Sequence, residues 1–385
     1  MSSYEFPGLQ VTASPRFVHA SGDRCVDTEG HAYVDLAMGF GVRLFGHGSN
    51  DMGSALRDHG DAAPGLGDLY SHELRERALA QVCLDCAGDW TSVSDLRASI
   101  WHTGSEAVET ALKTALRATG RSRIVAFEGG YHGTFGLAMA VSAHDAFRTP
   151  FAEQLGSTVS WERWNDIPEI DERVACVIVE PVQGRAGVRL PEPGFLHELR
   201  AACTAAGALL VFDEVLTGSG RSGGMLAGGD AVPDIVALGK ALGGGVPAAA
   251  TVARHEIAES GWGDITGEAI HTSTWVGEPI ACTGILAAHD LRADSVNLRS
   301  IESAAWQESL QMICDARGWE LRGMGLMWAI DMHDAGAGWD AAQKLLREHR
   351  IVVVPSGYDG RSITLLPAAL DGSHARQQLM GALTG

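Results

Sequence analysis

The sequence predicts an α/β fold: a mostly parallel central sheet flanked by helices, with a smaller α+β domain. Three observations carry this. Short apolar runs at Ile124 to Phe127, Val174 to Glu180, Ala208 to Phe212 and Asp234 to Leu238 each stop at a polar or glycine-rich turn. Such runs read as strands buried on both faces. Helical patterns lie between them, and that alternation builds parallel connections. The length, 385 residues, exceeds what one small core needs, so a second, smaller domain is expected.

Taken in order, residues 21–50 read as a hairpin: Cys25-Val26-Asp27 and His31 to Leu36 join at Thr28-Glu29-Gly30. Glycines at 39, 41, 46 and 48 follow, suited to lining a site. Residues 72–86 have helical spacing, and Ala98 to Trp101 is a short strand. A helix opens at Ser105, with Val108, Ala111, Leu112, Ala115 and Leu116 on one stripe. Glu106 and Glu109 fall near its start and Gly120 closes it. Phe195 to Ala206 is helical. Helices at about 279–292 and 301–317 then lead to a strand at Leu326 to Met332. A helix from Trp339 to Arg350, strands at Ile351 to Pro355 and Ile363 to Leu366, and a helix from His374 complete the chain. The expected division is 46–285 as the large domain, and 1–45 with 286–385 as the small one.

Composition excludes several classes. The net charge of -19 argues against non-specific binding to nucleic acid or anionic membranes. No apolar run approaches the ~20 residues of a membrane helix, and MSSYEFPGLQ has no secretory pattern. The seven cysteines are scattered; Cys83 and Cys86, the one close pair, lack a second ligand pair and read as half-buried helix thiols. A reduced, cytoplasmic protein is expected.

The chemistry gathers at the carboxyl ends of the predicted strands, where open α/β sheets bind ligands. Asp213 and Glu214 end one strand, and Lys240 follows the next inside a glycine-rich turn. A lysine in an apolar crevice is suited to a lowered pKa and imine chemistry. Gly104 and Ser105 open a helix whose free N–H groups favour phosphate, although Thr103 there also suits a plain N-cap. Tyr131 ends a strand where it could stack on a planar ligand.

Together these pieces resemble the class III (ω-amino acid) aminotransferases of the pyridoxal-phosphate fold-type I superfamily. The matching series runs in order: Asp27-Thr-Glu-Gly30, Gly46-His47, Gly104-Ser-Glu-Ala107, Tyr131-His-Gly133, Glu180-Pro-Val-Gln-Gly184 and Phe212-Asp-Glu-Val215. Gly220-Arg-Ser-Gly223, Pro233-Asp-Ile235, Gly239-Lys240 with its glycines, Ser273-Thr274-Trp275 and Arg322-Gly-Met-Gly-Leu326 continue it. The resemblance implies that Lys240 binds pyridoxal 5'-phosphate covalently and shuttles the proton, while Asp213 keeps the pyridine nitrogen protonated. It implies Val215 and Tyr131 on the two faces of the ring and Gly104 and Ser105 at the phosphate. Thr274 would add a phosphate contact across a homodimer interface. Glu180 and Gln183 would line the site, as would Phe40 and Arg43, although Arg43 also reads as a solvent-facing strand residue. Glu214 is expected to pair with Arg221.

Two departures bear on substrate. Many members have a glutamate at position 185, paired with an arginine just before Leu-Leu-Pro; here those positions are Arg185 and Thr364. The usual handling of 2-oxoglutarate therefore does not carry over, and Arg185 becomes a candidate carboxylate receptor. Leu216 replaces a glutamine. The chain is shorter than many members, with the losses expected in 50–71 and 293–303. The same residues would also serve an aminomutase or epimerase. Gly218 to Gly223 fits a dinucleotide pattern, but no helix is predicted at its third glycine, which weighs against a nicotinamide oxidoreductase.

Overall fold

The computed structural model describes residues 15–59, 64–88, 90–156, 158–265 and 267–384. Its central sheet has seven strands, in the order Leu96–Trp101, Ala249–Arg254, Ile235–Leu238, Leu209–Glu214, Val174–Val179, Arg123–Phe127 and Val159–Glu162. The strands from Ile235–Leu238 to Val159–Glu162 pair in parallel. Ala249–Arg254 runs antiparallel to both of its neighbours. The sequence reading missed this strand; its AATVAR is weakly β-forming and is specified by pairing on both sides.

Strand alternation divides the core into two layers. Leu210, Phe212, Val236 and Leu238 face one layer, packed with Val82, Leu199 and Ile285. Val211, Ile235 and Ala237 face the other, against Val108, Ala111 and Leu112 of the helix Gly104–Thr119. That helix starts where expected because Thr103 and Glu106 form a capping box, and it ends at Gly120 in the left-handed conformation (φ 65°). Cys83 and Cys86 are buried in the first layer, at 8% and 1% exposed, rather than half-buried.

Two four-stranded sheets form the rest. One joins Phe17–Ser21, Arg24–Asp27, Ala32–Asp35 and Ile351–Val352, and contains the expected hairpin. The other joins Glu320–Met324, Met327–Asp331, Ser362–Leu365 and Val354–Ser356. The single strand expected over Ile351 to Pro355 is thus two, split at Val353 so that its halves pair in different sheets. Trp306, Ile313, Trp328, Leu345 and Leu379 pack a separate core here. Residues 293–303 join Pro279–Asp294 to Val296–Arg317, with Ser295 between the helices. No helix among the described residues is long and apolar enough to cross a membrane.

Candidate active site

Three adjacent parallel strands end in an acid, an acid and a lysine. Val179 lies beside Phe212, so Glu180 meets Asp213 at the sheet edge; Glu214 lies beside Leu238, two residues before Lys240. Lys240 holds a positive φ of 45°, which a β-carbon disfavours. A glycine would sit there with less strain, so the side chain is what the position needs. Burial lowers the Lys240 pKa, opposed by the nearby Asp213 and Glu180 carboxylates. Among the described residues its amine makes no ion pair.

Asp213 is 4% exposed and firmly held. One oxygen accepts the Val215 N–H at 3.0 Å, and the other lies 2.7 Å from His132 Nδ1. His132 is buried too, and its own N–H donates to Ser142 Oγ. Glu180 fixes the neighbouring turns: its carboxylate accepts the N–H groups of Tyr131 (2.9 Å) and Gly184 (3.1 Å). Burial pushes its pKa up to about 7 against those bonds.

The start of the helix Gly104–Thr119 closes the other side. Ala107 N–H bonds to Thr103 C=O, and Glu106 N–H is taken by Thr103 Oγ1. The N–H groups of Gly104 and Ser105 are left without a protein acceptor among the described residues. Glycine is required at 104 because a Cβ there would lie 2.5 Å from Val215 Cγ1. Val215 is wedged between Gly104 and Gly239.

At the mouth, Tyr131 is half-buried and Arg185 lies over it, with the guanidinium carbon 5.0 Å from the ring centroid and 5.1 Å from that of Phe147. Gly129, His144 and Tyr358 line the recess beside them. Gln183 is spent on structure, donating to Glu128 C=O at 2.9 Å and facing Gly129. Thr364 is buried and donates to Ser356 Oγ at 2.7 Å. Phe40 is exposed, whereas Arg43 lies in a turn, its guanidinium against Gly245. Arg43 is therefore half-buried and not on a strand, because the chain from Leu36 to Phe45 folds back toward the glycines after Lys240. Thr274 is exposed on a surface turn, with its carbonyl against Gly67.

The family profile for class-III aminotransferases matches residues 11–384. The chain belongs to this family. It is 36% identical over 326 residues to the acetylornithine aminotransferase of Methanopyrus kandleri, covering 82% of this chain and 80% of that protein. It is 34% identical to the [LysW]-aminoadipate semialdehyde/glutamate semialdehyde transaminase of Sulfurisphaera tokodaii, covering 88% and 87%. Among solved structures, a PLP-bound amine transaminase from an uncultivated Pseudomonas species superposes with a TM-score of 0.87 at 26% identity, covering 100% and 98%. An ornithine aminotransferase from Toxoplasma gondii shares the fold, with a TM-score of 0.86 at 24% identity over 99% and 92%.

This aminotransferase is thus a pyridoxal-phosphate-dependent transaminase of fold type I. Its residues fit that cofactor: a lysine amine and two helix amides without partners among the described residues gather with a secured aspartate at the sheet edge. Two readings need correction or addition. Glu214 does not pair with Arg221. Alternation turns Glu214 away from Asp213, and it accepts the Ala227 and Gly228 N–H groups and the Thr217 hydroxyl. Arg221, fully buried, donates instead to the carbonyls of Leu326, Pro367 and Gly41. His132 and Tyr358 were missed as contributors. His132 stood inside the Tyr-His-Gly motif, while nothing local marks Tyr358, whose hydroxyl accepts the Gly129 N–H. After Gly218–Gly223 the chain continues in turns, and no helix opens there.

Proposed function

We propose that this aminotransferase exchanges an amino group between a donor and a keto or aldehyde acceptor, at least one of which carries a carboxylate received by Arg185. The observation that carries this is the guanidinium itself. It lies exposed at the mouth against the Tyr131 and Phe147 rings and has no carboxylate partner among the described residues. Aromatic contacts of this kind leave the edge of the fork free to meet a carboxylate bidentately. Thr364, at the place of the family's late arginine, is enclosed by Ser356 and supplies no charge.

In the same reading, Lys240 holds the cofactor through Nζ and carries a proton between that amine and the substrate carbon. Its lowered pKa supports the role, since only a neutral amine can bond or accept a proton. Asp213, steadied by His132, keeps the pyridine nitrogen protonated. Tyr131 and Val215 enclose the ring, and the Gly104 and Ser105 amides hold the phosphate. When bound, pyridoxal phosphate supplies the electron sink for breaking the bond next to the amine. Phe40, Arg43 and Glu180 border the substrate, and Gln183 fixes the Gly129 turn.

A homodimer completes the site, with Thr274 contributing to the partner's phosphate pocket. Support comes from the exposed apolar residues around it: Leu69, Tyr70, Trp275 and Ile280 are 78%, 67%, 62% and 45% exposed. Gly67 packs on the Thr274 carbonyl, so these side chains belong to one surface. A cytoplasmic setting agrees with seven unpaired cysteines. The test is a donor and acceptor screen on wild type and Arg185→Ala. The KM for carboxylate-bearing substrates should rise roughly 10- to 100-fold. Unchanged KM values for every donor and acceptor would remove Arg185 from the reading.

A further inference from the structure

Away from the aminotransfer site, Cys25, Asp35 and His47 bring three different donor atoms to one point at the edge of the N-terminal hairpin sheet. Cys25 Sγ lies 3.7 Å from His47 Nε2 and 3.9 Å from Asp35 Oδ2, and His47 Nε2 lies 2.8 Å from Asp35 Oδ2. We propose that these side chains form a binding site for a divalent transition-metal ion of the zinc class, with its fourth position open to the adjoining recess.

The separations suit that ion. Bonds of about 2.3 Å to sulfur and about 2.0–2.1 Å to nitrogen or oxygen in a tetrahedron place donors roughly 3.3–3.6 Å apart. Two edges of the triangle are already within a few tenths of an ångström of this, and the third, now a hydrogen bond, must open by about half an ångström. The donors are also fixed in advance. Cys25 is registered against Tyr33 in the hairpin. Asp35 Oδ1 is occupied by the N–H groups of Ala37 (2.8 Å) and Met38 (2.9 Å), which leaves Oδ2 to face the cluster. His47 is tied to Gly22 by reciprocal backbone bonds of 2.8 and 2.9 Å. Such anchoring lowers the reorganisation that binding requires.

Cys25 is unlike the other cysteines. Cys83, Cys86, Cys203 and Cys282 pack in one apolar core, Cys176 in the second layer and Cys314 in the small core. Cys25 is buried yet belongs to none of these, and its neighbours are polar donors. A recess of about 430 Å³ reaches the three residues and is bordered by Phe17, His19 and Val352. It provides the entry path and room for water or His19 as a fourth ligand. On coordination the Cys25 thiol proton leaves to solvent and the imidazole carries its proton on Nδ1, so each ion bound releases one proton.

The test is titration of the cofactor-loaded enzyme with Co²⁺, followed by competition with Zn²⁺. One Co²⁺ per chain should bind with a thiolate-to-metal band in the near ultraviolet, and Zn²⁺ should erase the band. Cys25→Ala should abolish it, and His47→Gln should weaken binding at least about tenfold. Cys25→Ser serves as a second variant should the alanine form be unstable, and the visible absorbance of the lysine-bound cofactor reports folding in each. No band in the wild type, or a band that persists without Cys25 in a folded variant, would overturn the site.

Discussion

His132 Nδ1 lies 2.7 Å from Asp213 Oδ2, with both side chains almost completely buried. A carboxylate set that deep needs its bonds met, and the imidazole meets one of them from a turn that Ser142 holds in place. His132→Ala is expected to lower kcat by roughly 10- to 100-fold and to weaken cofactor retention, because Asp213 loses its fixed aim. Single-turnover rates and equilibrium dialysis of the cofactor would measure the two effects. An unchanged kcat with full cofactor occupancy would show that His132 only fills space.

Lys240 offers the one amine at this edge of the sheet that is held without an ion pair among the described residues. Lys240→Ala should cost at least about 10³-fold in kcat/KM and abolish the visible absorbance of the lysine-bound cofactor, while leaving the thermal transition in place.

Glu214 makes a pH prediction. Burial raises its pKa from 4.5 to about 7. Between those values the folded chain keeps a proton that the unfolded chain gives up. The resulting stability is complete below the ordinary pKa and is lost as pH rises through 7, a change on the order of 3 kcal/mol. Denaturation midpoints should therefore fall from about pH 5 to about pH 8. Glu214→Gln should flatten part of that slope, and Glu180, also near 7, should retain the remainder.

Leu216 is pinned from two sides. A Cβ on Gly184 would sit 2.2 Å from its Cδ2, and one on Gly41 would sit 2.8 Å from its Cδ1. Gly184→Ala should destabilise by about 1–3 kcal/mol, since the half-buried leucine must leave its present rotamer to admit the new methyl. Adding Leu216→Ala should recover much of that loss. Simple additivity of the two changes, read from urea unfolding, would deny the contact.

The sequence disclosed what local pattern and spacing encode. The parallel strands around Asp213 and Lys240 were legible because each is an apolar run with a polar stop, and the helix at Gly104 because its caps are local. Ala249–Arg254 was not, since its identity as a strand comes from partners about 15 and 153 residues away in sequence. The Glu214–Arg221 pairing failed for a related reason. Seven residues apart in sequence, Glu214 ends a strand while Arg221 lies in the turns that follow; Glu214 is met by Thr217, Ala227 and Gly228, and Arg221 by carbonyls far away along the chain. The Cys25, Asp35 and His47 cluster depends on the Gly22–His47 bridge, which no local signal announces.

Arg221 draws three distant stretches of the chain to one point. Its acceptors at Leu326, Pro367 and Gly41 are 105, 146 and 180 residues away along the chain. One precedes it in sequence and two follow, and together they offset part of what burying this cation costs, its Nε being left without an acceptor among the described residues. The turn that follows the strand bearing Asp213 is thereby secured by contacts of long sequence separation, the kind that slow folding because loop closure precedes their reward.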